Sequence, residues 1–120
     1  MKPVRSSLRV VLVTAPTGEA EKLATVLLKN RLIACANLIP SVTSLYWWKG
    51  KIERGDEALI VMKTPKRNIA KLLTRLKNLH SYTVPEFLTL PVQESNPAYE
   101  AWAMQETSRR QRKASKARGK

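Results

Sequence analysis

Apolar and polar positions follow two rhythms along this chain, and the switches between them mark its elements. Arg9 to Thr14 (RVVLVT) is a continuous, mostly β-branched apolar run, as expected of a central strand. Ala15-Pro16-Thr17-Gly18 breaks it. Thr17 is placed to cap a helix whose first turn carries Glu19 and Glu21, which suit the positive end of the helix dipole. Ala20, Leu23, Ala24, Leu27 and Leu28 then recur at helical spacing as one apolar stripe, with Lys29 and Arg31 near the helix end. Ile33 to Trp48 and Lys51 to Thr64 read as two long extended segments, and Lys49-Gly50 between them suits a tight hairpin turn. Pro40 and Gly55 interrupt these segments and predict bulges or edge positions.

Thr64-Pro65 predicts the next helix start, with Thr64 as cap and Pro65 in the first helical position. Ile69, Leu72, Leu73, Leu76 and Leu79 form its apolar stripe, and Lys66, Arg67, Lys71, Arg75 and Lys77 line its other faces. Phe87 to Val92 supplies a last strand. Asn96-Pro97 repeats the cap-then-proline pattern before a short helix with Tyr99, Trp102 and Ala103 on one side. The order strand, helix, strand, strand, helix, strand, helix predicts an α+β fold. It is a ferredoxin-like split βαβ sandwich with a long central hairpin and an extra C-terminal helix. Right-handed crossovers place the two crossover helices on one sheet face and leave the other bare.

The hairpin tip carries Leu45, Tyr46, Trp47 and Trp48 in succession. Strand side chains alternate, so both faces of the tip are apolar, and one domain of this size cannot cover both. Tyr46, Trp47, Trp48 and the later Trp102 are therefore candidate interface residues between copies of the chain. The alternative is a tip folded back on its own domain.

The 120 residues amount to one domain, assigned to 1–107, with a basic segment 108–120 expected to be disordered. That segment (SRRQRKASKARGK) carries seven of the cations behind the net charge of +13, so the rest holds about +6, a mild excess. Cys35 is the one cysteine, which excludes an intrachain disulfide, and its apolar surroundings suggest a small buried side chain. No apolar run approaches the ~18 residues of a membrane span, and no signal-peptide pattern opens the chain. A cytoplasmic protein is expected.

Several segments are similar to the CutA divalent-cation-tolerance family. These are Asn37-Leu38-Ile39-Pro40, Thr43 to Glu53 (TSLYWWKGKIE), Lys63-Thr64, Leu79-His80, Tyr82, Pro85-Glu86, Leu90-Pro91-Val92, and Tyr99 with Trp102. The similarity runs from about Val10 to Glu106. The resemblance implies a cytoplasmic bacterial homotrimer with a stiff hairpin reaching into its neighbour, and a link to copper and other divalent-metal tolerance. It also implies an architecture like that of the trimeric PII signalling proteins, which bind small effectors between subunits. The family's metal proposal rests on a first-strand cysteine and a His-His pair. Here those positions hold Val13 and Leu79-His80, so His80 is the one candidate metal ligand that remains, and Ser81 stands where the family usually has proline.

The remaining chemistry is sparse. No nucleophile–base signature, Gly-rich phosphate loop or HExxH motif is present, so no catalytic residue is assigned and an enzyme is not expected. Lys63, His80, Tyr82 and Glu86 are candidates for a ligand cleft near one sheet end, where a metal such as Cu(II) or a small molecule would sit. Alternatively, Lys63 and Glu86 form an interfacial ion pair, and His80 is a helix-end or loop residue. One histidine cannot build a multi-His site, since Cu(II) or Zn(II) needs about four donors. Nucleic acid is not the expected partner of the sheet, because Val10 to Val13 and Leu59 to Met62 are aliphatic where stacking aromatics would be needed. The alternative function, a basic nucleic-acid-associated module, rests on the segment 108–120.

Overall fold

A computed structural model of the chain describes residues 1–108, so the basic segment expected over 108–120 lies, beyond Ser108, outside the described residues. The described elements run β1 (Val4–Arg5), β2 (Leu8–Ala15), α1 (Ala20–Lys29), β3 (Cys35–Trp48), β4 (Lys51–Pro65), a 3₁₀ turn (Lys66–Asn68), α2 (Ile69–Leu79), β5 (Leu88–Pro91), β6 (Glu94–Ser95) and α3 (Pro97–Glu106). The main sheet has the order β3-β4-β2-β5 with every neighbour antiparallel. That is the split βαβ arrangement, with α1 and α2 as its crossovers. The pair β1–β6 is an addition that two-residue strands leave no periodicity to foresee.

One face of the sheet and the two crossover helices enclose the core. Val11, Val13 and Ala15 of β2 and Ala58, Ile60 and Met62 of β4 meet Leu23 and Leu27 of α1 and Leu72 and Leu76 of α2. Each of the valine, leucine, isoleucine and methionine side chains contributes about 1.5–3 kcal/mol by leaving water. Leu28, grouped with the α1 stripe by spacing, stays exposed. Five helical residues that share an arc span more than the sheet covers, and Leu28 sits at its edge.

The opposite face is only partly bare. α3 lies across one end of it, where Ala103 packs with Leu8 and Ala34. The rest of this face carries Ile39, Leu88 and Leu90, all exposed.

Two helix starts differ from expectation. Thr17 does not cap α1, which begins after Glu19 without a side-chain cap. Thr64 and Pro65 belong to the end of β4, and a 3₁₀ turn intervenes before α2. The Thr64 hydroxyl is buried and donates to the Leu32 carbonyl at 2.6 Å, so it ties β4 to the chain entering β3. Asn96 does cap α3, accepting from Ala98 N at 2.9 Å, with Pro97 in the first turn.

The hairpin turns at Lys49 and Gly50, whose φ values of 50° and 79° fit a two-residue turn of the primed type. Pro40 lies in a bulge, since Ile39 faces Leu59 and Val42 faces Glu57, leaving Pro40 and Ser41 opposite Ala58 alone. Gly55 is not bulged. It pairs in regular register with Ser44, in the two-stranded part, and a Cβ there would lie 3.6 Å from the Tyr46 hydroxyl. β2 reaches only Ala58, so the seven β4 residues beyond it project with β3 as a free arm, about 23 Å long at strand rise. The molecule accordingly extends 51 × 36 × 23 Å.

Candidate functional site

The four cleft candidates occupy two places. α2 ends at Leu79, and His80 follows in extended conformation with its backbone N–H on Leu76 O at 2.8 Å. The imidazole folds under the sheet end. Nε2 lies 2.8 Å from the Thr14 carbonyl, two residues past the last β2–β5 pair, Leu12 with Leu88. A carbonyl only accepts, so Nε2 carries the proton. Nδ1 accepts from the Tyr82 backbone N–H at 3.0 Å. Both ring nitrogens are thus engaged in the neutral Nε2–H tautomer. The Tyr82 ring packs at 4.7 Å from the imidazole, and its hydroxyl donates to Glu57 Oε2 at 2.8 Å. Burial and then the Glu57 carboxylate push the Tyr82 phenol up to about 12, so it stays a donor. Glu86 is exposed, two residues before β5.

Lys63 is elsewhere. It pairs with Val10 and Cys35, whereas Thr14 pairs with Leu59. Four strand positions, about 13 Å, separate it from the His80 end. Its ammonium donates to Asn37 Oδ1. A single chain therefore brings His80 and Tyr82 together, sets Glu86 on the approach to β5, and leaves Lys63 toward α3. Beside it, Cys35 is half-buried, with Sγ 3.3 Å from the Tyr99 hydroxyl. Burial first and the Cys35 contact second push the Tyr99 phenol up to about 12. Tyr99 and Trp102 pack at 5.6 Å, with Trp102 partly exposed.

The aromatics of the arm split by strand parity. Tyr46 and Trp48 project on the side of the open sheet face, Leu45, Trp47 and Ile52 on the other. Leu45, Trp47 and Ile52 are 69%, 73% and 65% exposed. The arm does not fold back on its own domain.

Two residues that act here escaped the sequence reading. Glu57 holds Tyr82, and the signal was its period-2 alignment with Leu59, Val61 and Lys63 on one face of β4. Glu100 accepts from Ser6 Oγ and Ser95 Oγ at 2.8 and 2.6 Å and from Ser7 N at 2.9 Å, so it ties α3 to both ends of the β1–β6 segments. An acid in the first turn of a capped helix was the available hint. Neither set makes a metal site. Among the described residues no three His, Cys, Asp or Glu side chains cluster closely enough to hold an ion, and the His80 nitrogens are already bonded. The residues of one chain do not fit a resident metal.

The fold is a ferredoxin-like α+β sandwich with a projecting two-stranded arm. Residues 9–106 match the family model described as CutA1 divalent ion tolerance protein. The chain is 42% identical over 99 residues to the divalent-cation tolerance protein CutA of Thermus thermophilus, covering 82% of this chain and 96% of that one. It is 40% identical over 105 residues to the mouse protein CutA, covering 87% of this chain but 59% of the mouse protein. The CutA structure from Synechococcus elongatus superposes with a TM-score of 0.85 at 31% identity, over 89% of this chain and 96% of that one. The chain belongs to the CutA1 divalent ion tolerance family.

Proposed function

We propose that this protein serves tolerance of copper and other divalent cations as a cytoplasmic, non-enzymatic homotrimer that binds a small ligand or metal ion where chains meet. The observation that carries the reading is the arm: large apolar side chains exposed on both its sides, beside an open sheet face bearing Ile39, Leu88 and Leu90. Arm and face are different patches, so a one-way contact between them is head-to-tail, and it forms a closed ring where the rotation between copies closes. Three chains is the size that the family resemblance implies. Such a ring brings residues of different copies together. Lys63 of one chain then has the opportunity to approach His80, Tyr82 and Glu86 of another, which a single chain keeps apart. Within one chain the donors for a metal are too few, so ligands from a neighbour are required for any tight site.

The test is native mass spectrometry and sedimentation equilibrium on protein purified without chelator. A single species of three chains at micromolar concentration is expected, and any bound ion or metabolite appears as added mass. A monodisperse monomer overturns the reading.

A further inference from the structure

We propose that the outer face of the helical layer, centred on α2, binds the phosphate backbone of a nucleic acid duplex without regard to sequence. The proposal goes beyond the divalent-cation reading and does not depend on it, because this layer lies on the sheet face opposite the open one.

The charge pattern of α2 is one-sided. With the 3₁₀ turn before it, the helix presents Lys66, Arg67, Lys71, Arg75 and Lys77, and contains no acid from residue 66 to 79. At helical spacing Lys71 and Lys77 lie on the outward arc of α2, away from the buried Leu72 and Leu76, with Arg75 half-buried on the flank toward Asn30 and with Lys66 and Arg67 exposed in the 3₁₀ turn before it. Between this arc and the end of α1 runs an open groove of about 530 Å³, lined among others by Asn30, Lys71, Thr74, Arg75 and Asn78. Its lining is cationic and amide-rich, with no carboxylate. Asn30 Oδ1 accepts from Arg75 Nε at 3.0 Å, which orients the guanidinium and leaves its terminal nitrogens for a further acceptor. Two of the nearby acids are engaged, while Glu21 in the first turn of α1 is exposed. Glu19 accepts from the Ser81 backbone, and Glu106 pairs with Arg31 at 2.8 Å, the one ion pair among the described residues.

A second observation points the same way. Arg67 donates to the Met104 carbonyl and the Thr107 hydroxyl, and Arg31 to the Glu106 carbonyl. These contacts seat the end of α3, at Thr107, beside the start of α2, and in the sequence seven cations follow that point. The span of the five cations is about 16 Å by helical rise, and a duplex presents roughly ten phosphates over that length. Small ligands are less well matched, because the groove is open and the cations of α2 are spread along the length of the helix. A membrane surface fits less well too. The exposed arc of α2 carries Ala70, Thr74 and Asn78 between its cations and no large apolar side chain to insert. The sheet offers no stacking platform, so contact is through phosphates and not through unstacked bases.

The experiment is fluorescence anisotropy of the full chain with a labelled 20-base-pair DNA duplex across 50–200 mM KCl. Phosphatidylserine-containing vesicles serve as the second arm. We expect micromolar binding at low salt that falls linearly in log–log form. The triple variant Lys66→Ser/Lys71→Ser/Lys77→Ser changes only exposed side chains. It is expected to reduce the slope by about 2–3 and to weaken binding at least about tenfold at 50 mM salt. Single Lys71→Gln and Lys77→Gln variants, each expected to lower the slope by about one, keep the test sound if the triple variant folds poorly. An unchanged slope in these variants overturns the proposal and assigns the effect to segment 109–120 alone. Binding to vesicles without binding to the duplex overturns it as well, and so does the absence of any duplex binding at 50 mM salt.

Discussion

Replacing His80 by alanine separates a structural histidine from a metal ligand. The ring is 7% exposed and spans two backbone groups, Thr14 O at 2.8 Å and Tyr82 N at 3.0 Å. Truncation removes two hydrogen bonds, each worth about 0.5–1.5 kcal/mol. It also strands the Thr14 carbonyl beyond the end of β5, where an unsatisfied buried group costs about 1–3 kcal/mol. The Tyr82 N–H lies nearer the surface and recovers water. The expected net loss is about 2–3 kcal/mol, read as a lower urea midpoint at fixed chain concentration, since assembly makes stability concentration-dependent. A metal needs a lone pair, and the one on Nδ1 is committed to Tyr82. Taking it costs about 1 kcal/mol, some fivefold in affinity, before any other donor is found. Calorimetry with Cu(II) on N-terminally blocked protein should therefore show weak binding that His80→Ala leaves unchanged. The reasoning is refuted by a one-per-chain submicromolar Cu(II) site that vanishes in His80→Ala while the urea midpoint stays put.

Other substitutions probe other parts of the molecule. Trp47→Asp and Trp48→Asp place a charge on each apolar side of the arm and are expected to abolish assembly and cause aggregation; trimers with unchanged melting would remove the arm from the interface. Glu100→Ala releases Ser6, Ser7 and Ser95 and should cost about 1–2 kcal/mol, discounted for partial exposure, in thermal or urea unfolding. Burial opposes the Glu100 charge, but the hydrogen bonds from Ser95, Ser7 and Ser6 outweigh it and hold the carboxyl below its usual range. Its contribution is therefore complete above the ordinary glutamate range and fades as pH falls through the lowered folded value, so wild type and Glu100→Ala should converge in acid. At the hairpin turn, Lys49→Asn relieves a non-glycine residue at φ 50° and should raise stability by about 0.5 kcal/mol, whereas Gly50→Ala, at φ 79°, should lower it by about 1 kcal/mol; equal melting of both variants would exclude this account of the turn.

Most of the fold was legible because its signals are local and redundant. The run Arg9–Thr14 announces a strand flanked on both edges, and the stripe through Leu72 and Leu76 announces its helix. The turn at Lys49-Gly50 and the cap at Asn96 rest on residue chemistry that few alternatives satisfy. The misplacements share a cause. Thr64 has the composition of a cap, but tertiary burial directed its hydroxyl to Leu32, 32 residues away in sequence, and a 3₁₀ turn absorbed the transition. The candidate cleft was less legible for the same reason. Residue type nominates Lys63 alongside His80, yet strand register alone decides that they stand apart. Glu57 was invisible as the partner of Tyr82 because 25 residues separate them and no spacing rule connects a strand to a loop.

The bulge at Pro40 and Ser41 makes β3 two strands in different reading frames. Before it, odd-numbered residues such as Asn37 and Ile39 share the open face; after it, even-numbered residues such as Tyr46 and Trp48 do. β4 keeps one frame throughout, with Leu59, Glu57 and Glu53 all on that side. The inserted residue therefore shifts the phase of the sequence pattern, while pairing with β4 still sets the side that each β3 residue takes. A single-residue deletion at Ser41 would remove the bulge and leave Pro40 alone opposite Ala58, with Val42 still facing Glu57 and Tyr46 still facing Glu53. What the extra residue supplies is the local bend and added twist at the point where the arm leaves the body of the sheet.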